Sequence, residues 1–254
     1  MHILITGHRG FIGQNMINAL KDDHGLSFYE WGDPDYDLDG VDFVIHLGAI
    51  SSTAYRDVRQ IMKQNYHFTV ELMEACSARQ IPIQIASSAS IYGPDNTTFV
   101  ESDPPDPRTP YAWTKYLVEE YARTHFLNCP VQLFRYFNVY GPHEDHKGDQ
   151  ASPYHKFQAQ KDRGEKIRLF EGSENFKRDF VHVDTVINAH LRFMDLPVSG
   201  VWNIGTGTAK SFVEVAEEIG GEVEFIPMPE VLKSGYQAYT CASVAKFLST
   251  ISGS

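Results

Sequence analysis

The chain has 254 residues, enough for one large α/β domain or a domain with a small added lobe. Its formal charge of −11 argues against nucleic acid and anionic membranes as partners, and no apolar run reaches the ~18–20 residues of a membrane helix. Cys76, Cys129 and Cys241 are few and widely spaced, and the first strand begins without a signal peptide, so a reducing cytoplasmic location is expected.

Residues 2–6 are a continuous apolar run of strand type, followed at once by Thr6-Gly7-His8-Arg9-Gly10-Phe11-Ile12-Gly13. Phe11, Ile12, Met16, Ile17 and Leu20 then recur at helical spacing, giving strand, glycine turn, helix. Gly7 permits the tight turn, Gly10 lets backbone amides approach a pyrophosphate, and Gly13 lets the helix pack closely on the sheet. The start of the helix then faces the anion. Residues 26–30 read as the second strand, ending in Glu30, an acidic residue placed to bind adenosine ribose hydroxyls and so to favour NAD. Arg9 pulls the other way, because its guanidinium can pair with a 2′-phosphate. The expected cofactor is therefore NAD or NADP.

About a dozen residues rich in Asp and Gly separate Glu30 from the next strand at 43–47. A helix and a further strand do not fit there, so one edge of the sheet is expected to be trimmed. A long helix is expected over 57–79, with Ile61, Met62, Tyr66, Val70 and Met73 buried. A strand at 82–87 opens into Ser87-Ser88-Ala89-Ser90, at the carboxyl end where open α/β sheets place their chemistry. Residues 94–109 read as a surface loop.

In Thr109-Pro110-Tyr111-Ala112-Trp113-Thr114-Lys115, Thr109 suits an N-cap and Pro110 the first helical position. Tyr111 and Lys115 then share one helix face, a turn apart. A tyrosine with its ordinary pKa of about 10 is no base at neutral pH. A neighbouring ammonium and a positive helix end both favour the phenolate. Reaching ~7 takes roughly 4 kcal/mol, which two or three positive groups, one of them a cofactor, can supply. The spacing alone suits an ordinary amphipathic helix equally well.

That helix is expected to run to about 126, followed by a strand at 131–136 that leads into Arg135-Tyr136-Phe137-Asn138-Val139-Tyr140-Gly141-Pro142. Farther on, 150–163 reads as helix, 166–170 as strand, 181–194 as strand then helix, and 201–204 as strand. Helix, strand and helix follow at 211–219, 222–227 and 242–250. The expected fold is α/β, a Rossmann-type doubly wound parallel sheet trimmed after its second strand. Residues 1–142 plus 179–206 form it, and 143–178 plus 207–254 form a small carboxyl-terminal α/β substrate lobe. The lobes would share a cleft facing Tyr111, Ser88 and Asn138. His143, Glu144, Asp145 and His146 need not converge after a Gly-Pro turn, and no metal site is expected.

These features together resemble the extended short-chain dehydrogenase/reductases that act on nucleotide sugars. The chain looks most like the ADP-L-glycero-D-manno-heptose 6-epimerases among them. The selective carriers are His46-Leu47-Gly48-Ala49 with Ser51-Ser52-Thr53, the Arg135–Pro142 segment, His146-Lys147-Gly148, the run from Phe170 to Phe180, and Tyr236-Gln237-Ala238. The resemblance covers nearly the whole chain. It implies Tyr111 as proton acceptor, Lys115 holding the nicotinamide ribose, Ser88 bonding the reacting oxygen, and Lys147 as a second base on the opposite sugar face. It further implies a tightly bound NAD or NADP, regenerated each cycle, against Gly7, Arg9, Gly10, Phe11, Ile12, Gly13, Glu30, Leu47, Gly48, Ala49, Ser51, Asn65 and Val139, with Tyr111 and Lys115. The nucleotide sugar would lie against Ser88, Asn138, Lys156, Phe170, Glu171, Gly172, Ser173, Arg178 and Tyr236.

Three departures from the family pattern stand out. Asp149 replaces a small hydroxyl residue, Lys156 replaces a histidine, and the segment that carries the basic residues for a 2′-phosphate is missing. A sugar-nucleotide dehydratase would want an acidic pair after the serines, where this chain has Ala89-Ser90. A UDP-sugar 4-epimerase shares Ser88, Tyr111 and Lys115 and is the main alternative. A non-catalytic dinucleotide-binding scaffold fits less well, because the tyrosine and the lysine are both retained. A homo-oligomer is compatible with the sequence.

Overall fold

The structure is a computed structural model that describes residues 1–94, 97–230 and 237–253. Six parallel strands form the main sheet, in the order β10 (Gly200–Ile204), β6 (Val131–Tyr136), β4 (Ile83–Ser88), β3 (Phe43–His46), β1 (His2–Thr6), β2 (Gly25–Tyr29). β3 and β6 are buried at every position, as strands covered on both faces must be. The expected trimming is present: residues 30–42 contain neither helix nor strand, and β2 is the edge.

On one face, α1 (Phe11–Leu20) packs with α6 (Val183–Met194), burying Phe11, Met16 and Leu20 against Val183 and Ile187. On the other lie α4 (Pro110–Thr124) and a long helix over 58–79, around Leu72, Met73, Cys76, Ile83 and Leu133. The long helix is not uniform. α2 (Val58–Ile61) and α3 (Phe68–Arg79) are joined through a π-helical turn, Met62–His67. The wider turn rotates the buried stripe away from the expected one. Asn65, Phe68, Thr69 and Leu72 face inward, while Met62, Tyr66 and Val70 are only half-buried.

The second half builds smaller sheets from β5 (Thr98–Phe99), β7 (Asn138–Tyr140), β8 (Ile167–Phe170), β9 (Lys177–His182), β11 (Ala209–Ser211), β12 (Val223–Ile226) and β13 (Tyr239–Ala242). β11, β9, β13 and β5 lie side by side, β7 pairs with β9, and β8 pairs in parallel with β12. α5 (Pro153–Asp162) and α7 (Phe212–Ile219) cover Ile167, Leu169 and Phe180.

The two halves interleave more than the sequence reading expected. The boundary expected at 178/179 falls inside β9, and β5, from the expected main domain, pairs with β13 near the chain's end. α8 (Ala245–Ser252), expected in the lobe, lays Phe247 and Ile251 on the main-sheet core beside Phe193 and Trp202. Thr250 accepts the Trp202 indole N–H at 3.0 Å. Among the described residues no helix is long and apolar enough to cross a membrane.

Candidate active site

The strand order reverses between β1 and β3, so their carboxyl ends open a crevice at the topological switch point. Gly7 turns there with φ +72°, and a Cβ on it would lie 2.5 Å from Gly48 Cα. A Cβ on Gly13 would stand 2.2 Å from the Gly7 carbonyl oxygen. Both positions therefore require glycine for contact between backbones. Gly10 caps α1 in an extended conformation, and Phe11 and Ile12 form its first turn. The Glu30 carboxylate, just past β2, accepts the Arg9 backbone N–H at 2.7 Å, which fixes it on the glycine turn. The Arg9 side chain itself is exposed. Leu47, Gly48 and Ala49 are half-buried at the mouth of β3, and Ser51 is exposed farther along that loop. Thr6, Gly7, Tyr29, Trp31, Gly48 and Phe68 line a small hollow between them. Backbone amides with no side chain in front of them and an ordered carboxylate at β2 fit a dinucleotide carrying an unmodified ribose.

Two expected cofactor residues serve the crevice from behind. Asn65 is only 1% exposed, and its carboxamide accepts the Ile50 N–H at 2.8 Å while donating to the Ile50 carbonyl at 2.9 Å. It shapes the 47–51 loop rather than lying open to a ligand. The π turn is what brings it inward, in line with the frequent placement of such turns at functional sites. Val139 packs between the two cores that meet under the crevice.

The expected cap forms at α4: Thr109 accepts the Ala112 N–H at 3.1 Å and Pro110 opens the helix. Tyr111 and Lys115 lie on its inward face, over the end of β4. Burial pushes the Tyr111 phenol up from its ordinary 10.0, and a hydrogen bond with the Ser88 side chain pulls it down. Lys115 donates to the Ala86 carbonyl at 2.7 Å, and its ammonium sits 5.8 Å from the Tyr111 ring centre. Burial pushes Lys115 down to about 8, against the upward pull of Glu119 one turn on. The protein alone therefore does not set Tyr111 as a base near neutrality. The expected lowering needs the positive charge that a bound oxidised cofactor brings.

Lys147 lies in a short 3₁₀ segment, Asp145–Gln150. Its ammonium is 2.9 Å from Glu144 Oε2 and 4.7 Å from the centre of the Phe11 ring, at the start of α1. The preceding loop runs alongside α1, where Asn15 donates to the Pro142 carbonyl at 2.9 Å. Lys147 thus belongs to the glycine-turn side of the crevice, and no hydrogen bond joins it to Tyr111 among the described residues.

The expected sugar-nucleotide residues form a second group. Asn138 donates to the Asp179 carbonyl at 3.2 Å. Arg178 donates to the backbone carbonyls of Lys177 and Gln237 and lies over the Phe212 ring. Ser173 is buried with its hydroxyl on the Phe170 carbonyl, and the exposed Glu171 is tied through its N–H to Ile226. Gly172 turns between them with φ +87°. Lys156 holds the Asp149 carbonyl, so the two substituted positions are tied to one another. Tyr236 lies outside the described residues.

Several residues that organise the site were not singled out from the sequence. Asp179, fully buried, accepts from the Thr206 N–H and hydroxyl and from the N–H groups of Gly207 and Ala242, gathering three chain segments beside Arg178. Glu119 forms a bidentate, buried pair with Arg135 and also accepts from Ser87. Only its i+4 spacing from Lys115 hinted at a role. A cleft of about 1090 Å³ between α4 and α8 is lined by Phe126, Arg135 and Lys246. Tyr111, Ser88 and Lys115 are not among the residues that line it.

The family model for the NAD dependent epimerase/dehydratase family matches residues 36–205. Among solved structures, the chain is similar to the ADP-L-glycero-D-manno-heptose-6-epimerase of Helicobacter pylori, at 25% identity and TM-score 0.86, over 99% of this chain and 90% of that one. It is similar to a Thermus thermophilus UDP-glucose 4-epimerase in complex with NAD, at 25% identity and TM-score 0.81, over 98% and 92% of the two chains. A UDP-N-acetylglucosamine 4-epimerase from Methanobrevibacter ruminantium shares the fold, with TM-score 0.88 at 24% identity over 99% and 91%.

Proposed function

The chain belongs to the NAD dependent epimerase/dehydratase family, and we propose that it inverts C6 of an ADP-activated heptose. It is an epimerase of nucleotide sugars, and its cofactor is NAD. When bound, NAD would supply a reversible hydride acceptor for the sugar carbon. Gly7, Gly10, Gly13 and Glu30 would hold that cofactor at the switch point, with Lys115 as the residue for its ribose. Ser88 bonds the reacting oxygen and Tyr111 removes the hydroxyl proton. The ketone then presents its other face, and Lys147 handles the proton there. Asn138, Lys156, Phe170, Glu171, Gly172, Ser173, Arg178 and Tyr236 hold the nucleotide, with Arg178 at the diphosphate.

The observation that carries the C6 reading is Lys147, a second lysine held beside the glycine turn and away from the Tyr111–Lys115 pair. A UDP-sugar 4-epimerase is the second reading, favoured by the tie between Lys147 and Glu144. A lysine that never leaves its carboxylate leaves Tyr111 as the sole base. The test is incubation with ADP-, UDP-, GDP- and dTDP-sugars, with epimers read by NMR. Turnover of ADP-heptose is expected; turnover of UDP-glucose with none of ADP-heptose overturns the preferred substrate.

A further inference from the structure

We infer that Glu144 is the positioning residue for Lys147, docking its ammonium beside the glycine turn so that Lys147 meets the sugar as a proton donor. The inference rests on the two-base reading above.

Glu144 has a fully buried carboxylate in a loop of exposed neighbours. It accepts the Gly141 N–H at 3.1 Å, the Ser152 N–H and hydroxyl both at 2.7 Å, and the Lys147 ammonium at 2.9 Å. Burial alone would push this acid up, but the bonds from Lys147 and Ser152 outweigh it and hold the group below its ordinary range. The loop therefore encloses a permanent anion, and of its partners only Lys147 can leave: the other two positions are backbone and an N-cap side chain. Lys147 keeps part of its side chain exposed and rests on the Phe11 ring, so it is both held and accessible.

The Glu144 carboxylate holds one N–H of the Lys147 ammonium at 2.9 Å and so fixes where the group sits. In the half-reaction that reduces the ketone, the proton taken by the sugar oxygen leaves an N–H bond of Lys147. Run backwards, the neutral amine recovers that proton from the sugar hydroxyl, and Glu144 stays ionised throughout. A solvated loop lysine would sample many rotamers, and docking removes that search.

The test is a double-mutant cycle with an independent chemical readout. Lys147→Met is expected to lower kcat by about 100- to 10,000-fold, as for loss of a general acid. Glu144→Gln is expected to lower kcat by about 10- to 100-fold with KM little changed. The double variant should be no slower than Lys147→Met, because the carboxylate acts through the lysine. Ser152→Ala removes one of the loop's bonds to Glu144 without touching Lys147, and should leave kcat within about twofold. At one fixed pH, amine labelling of Lys147 followed by mass spectrometry should be about threefold or more faster in Glu144→Gln, because the undocked side chain is free to meet the reagent.

Losses that multiply in the double variant, or a Ser152→Ala variant as slow as Glu144→Gln, make the glutamate's role structural and overturn the inference. Unchanged labelling overturns it as well. If labelling accelerates but Lys147→Met turns over near the parent rate, the docking stands and the two-base reading fails.

Discussion

His46 Nδ1 lies 2.6 Å from Thr6 Oγ1, and the pair shows how the two loops of the crevice are held together. Thr6 Oγ1 also accepts the Gly48 N–H at 3.3 Å. On the other side the Thr69 hydroxyl donates to the Asn65 carbonyl, and its oxygen receives His46 Nε2–H at 2.8 Å. The buried, neutral ring therefore carries its proton on Nε2, and Nδ1 accepts the Thr6 hydroxyl. It links the mouth of β3, through the floor of the sheet, to the π turn.

Burial pushes His46 down to about 3 from its ordinary 6.5, and His190 likewise. Between those values the unfolded chain binds more protons than the folded one. Stability therefore falls as pH drops from about 6.5 toward 3, and these groups contribute no slope above that window. Urea unfolding at steps between about pH 4 and 7 should show this loss. His46→Gln should cost roughly 1–3 kcal/mol at neutral pH through mispaired hydroxyls, yet give a shallower acid limb than the parent. An acid limb of unchanged slope would mean that His46 is not buried neutral.

Tyr111→Phe removes the proposed proton acceptor while keeping the ring, so kcat should fall by about 100- to 10,000-fold with the fold intact. Ser88→Ala should cost less, about 10- to 100-fold, since it removes one hydrogen bond to the reacting oxygen. Single-turnover rates together with far-ultraviolet circular dichroism check both. A Tyr111→Phe variant with near-parental turnover would remove α4 from the chemistry.

Lys115 gives opposite signs for activity and stability. Its ammonium is lost as pH rises through about 8, so kcat/KM should decline above that pH. Between about 8 and its ordinary 10.5 the unfolded chain holds the extra proton, so stability rises with pH across that interval as the cost of burying this ammonium is relieved. Glu119→Gln deletes the anion that holds Lys115 up, and the alkaline limb should move to lower pH. It also strands Arg135, at a cost of roughly 3–5 kcal/mol for a broken buried pair. A pH–rate profile of the folded variant decides the point: a limb that stays in place separates Glu119 from Lys115.

At the glycine turn, Gly13→Ala drives a methyl to 2.2 Å from a carbonyl oxygen, with backbone on both sides that cannot yield. It should cost roughly 1–3 kcal/mol or more as overpacking and weaken NAD binding together with stability. Gly40 has φ +71° but nothing within 4 Å of an added Cβ, so Gly40→Ala should cost only about 1–2 kcal/mol and leave NAD affinity alone. Thermal melts and fluorescence titration of NAD compare the two. Equal effects would show that close backbone contact does not matter at Gly13.

What the sequence made legible was local. The strand, glycine turn and α1, and the Thr109–Pro110 start of α4, each follow from residues within a few positions of one another. The short run between Glu30 and β3 likewise announced the trimmed edge. The π turn was not legible, because a 3.6-residue pattern assigns Met62 and Tyr66 to the stripe that Asn65 and Phe68 occupy. β13 and β5 are strands of four and two residues whose existence depends on their partners rather than on their own composition. Asp179 and Glu144 become buried anchors only through distant donors such as Ala242 and Ser152, which local sequence does not reveal.

The π turn also changes which kind of mutation matters in that helix. Each residue turns an α-helix by about 100°, so removing one residue between 62 and 67 would redirect everything beyond it. Asn65 would swing off Ile50, and the Phe68–Cys76 stripe would lose its fit to the sheet. Side chains on the outer face can change freely here, but the number of residues cannot. In this segment chain length itself carries information about the cofactor loop, and a deletion silent elsewhere on a helix surface would be read as a broken site.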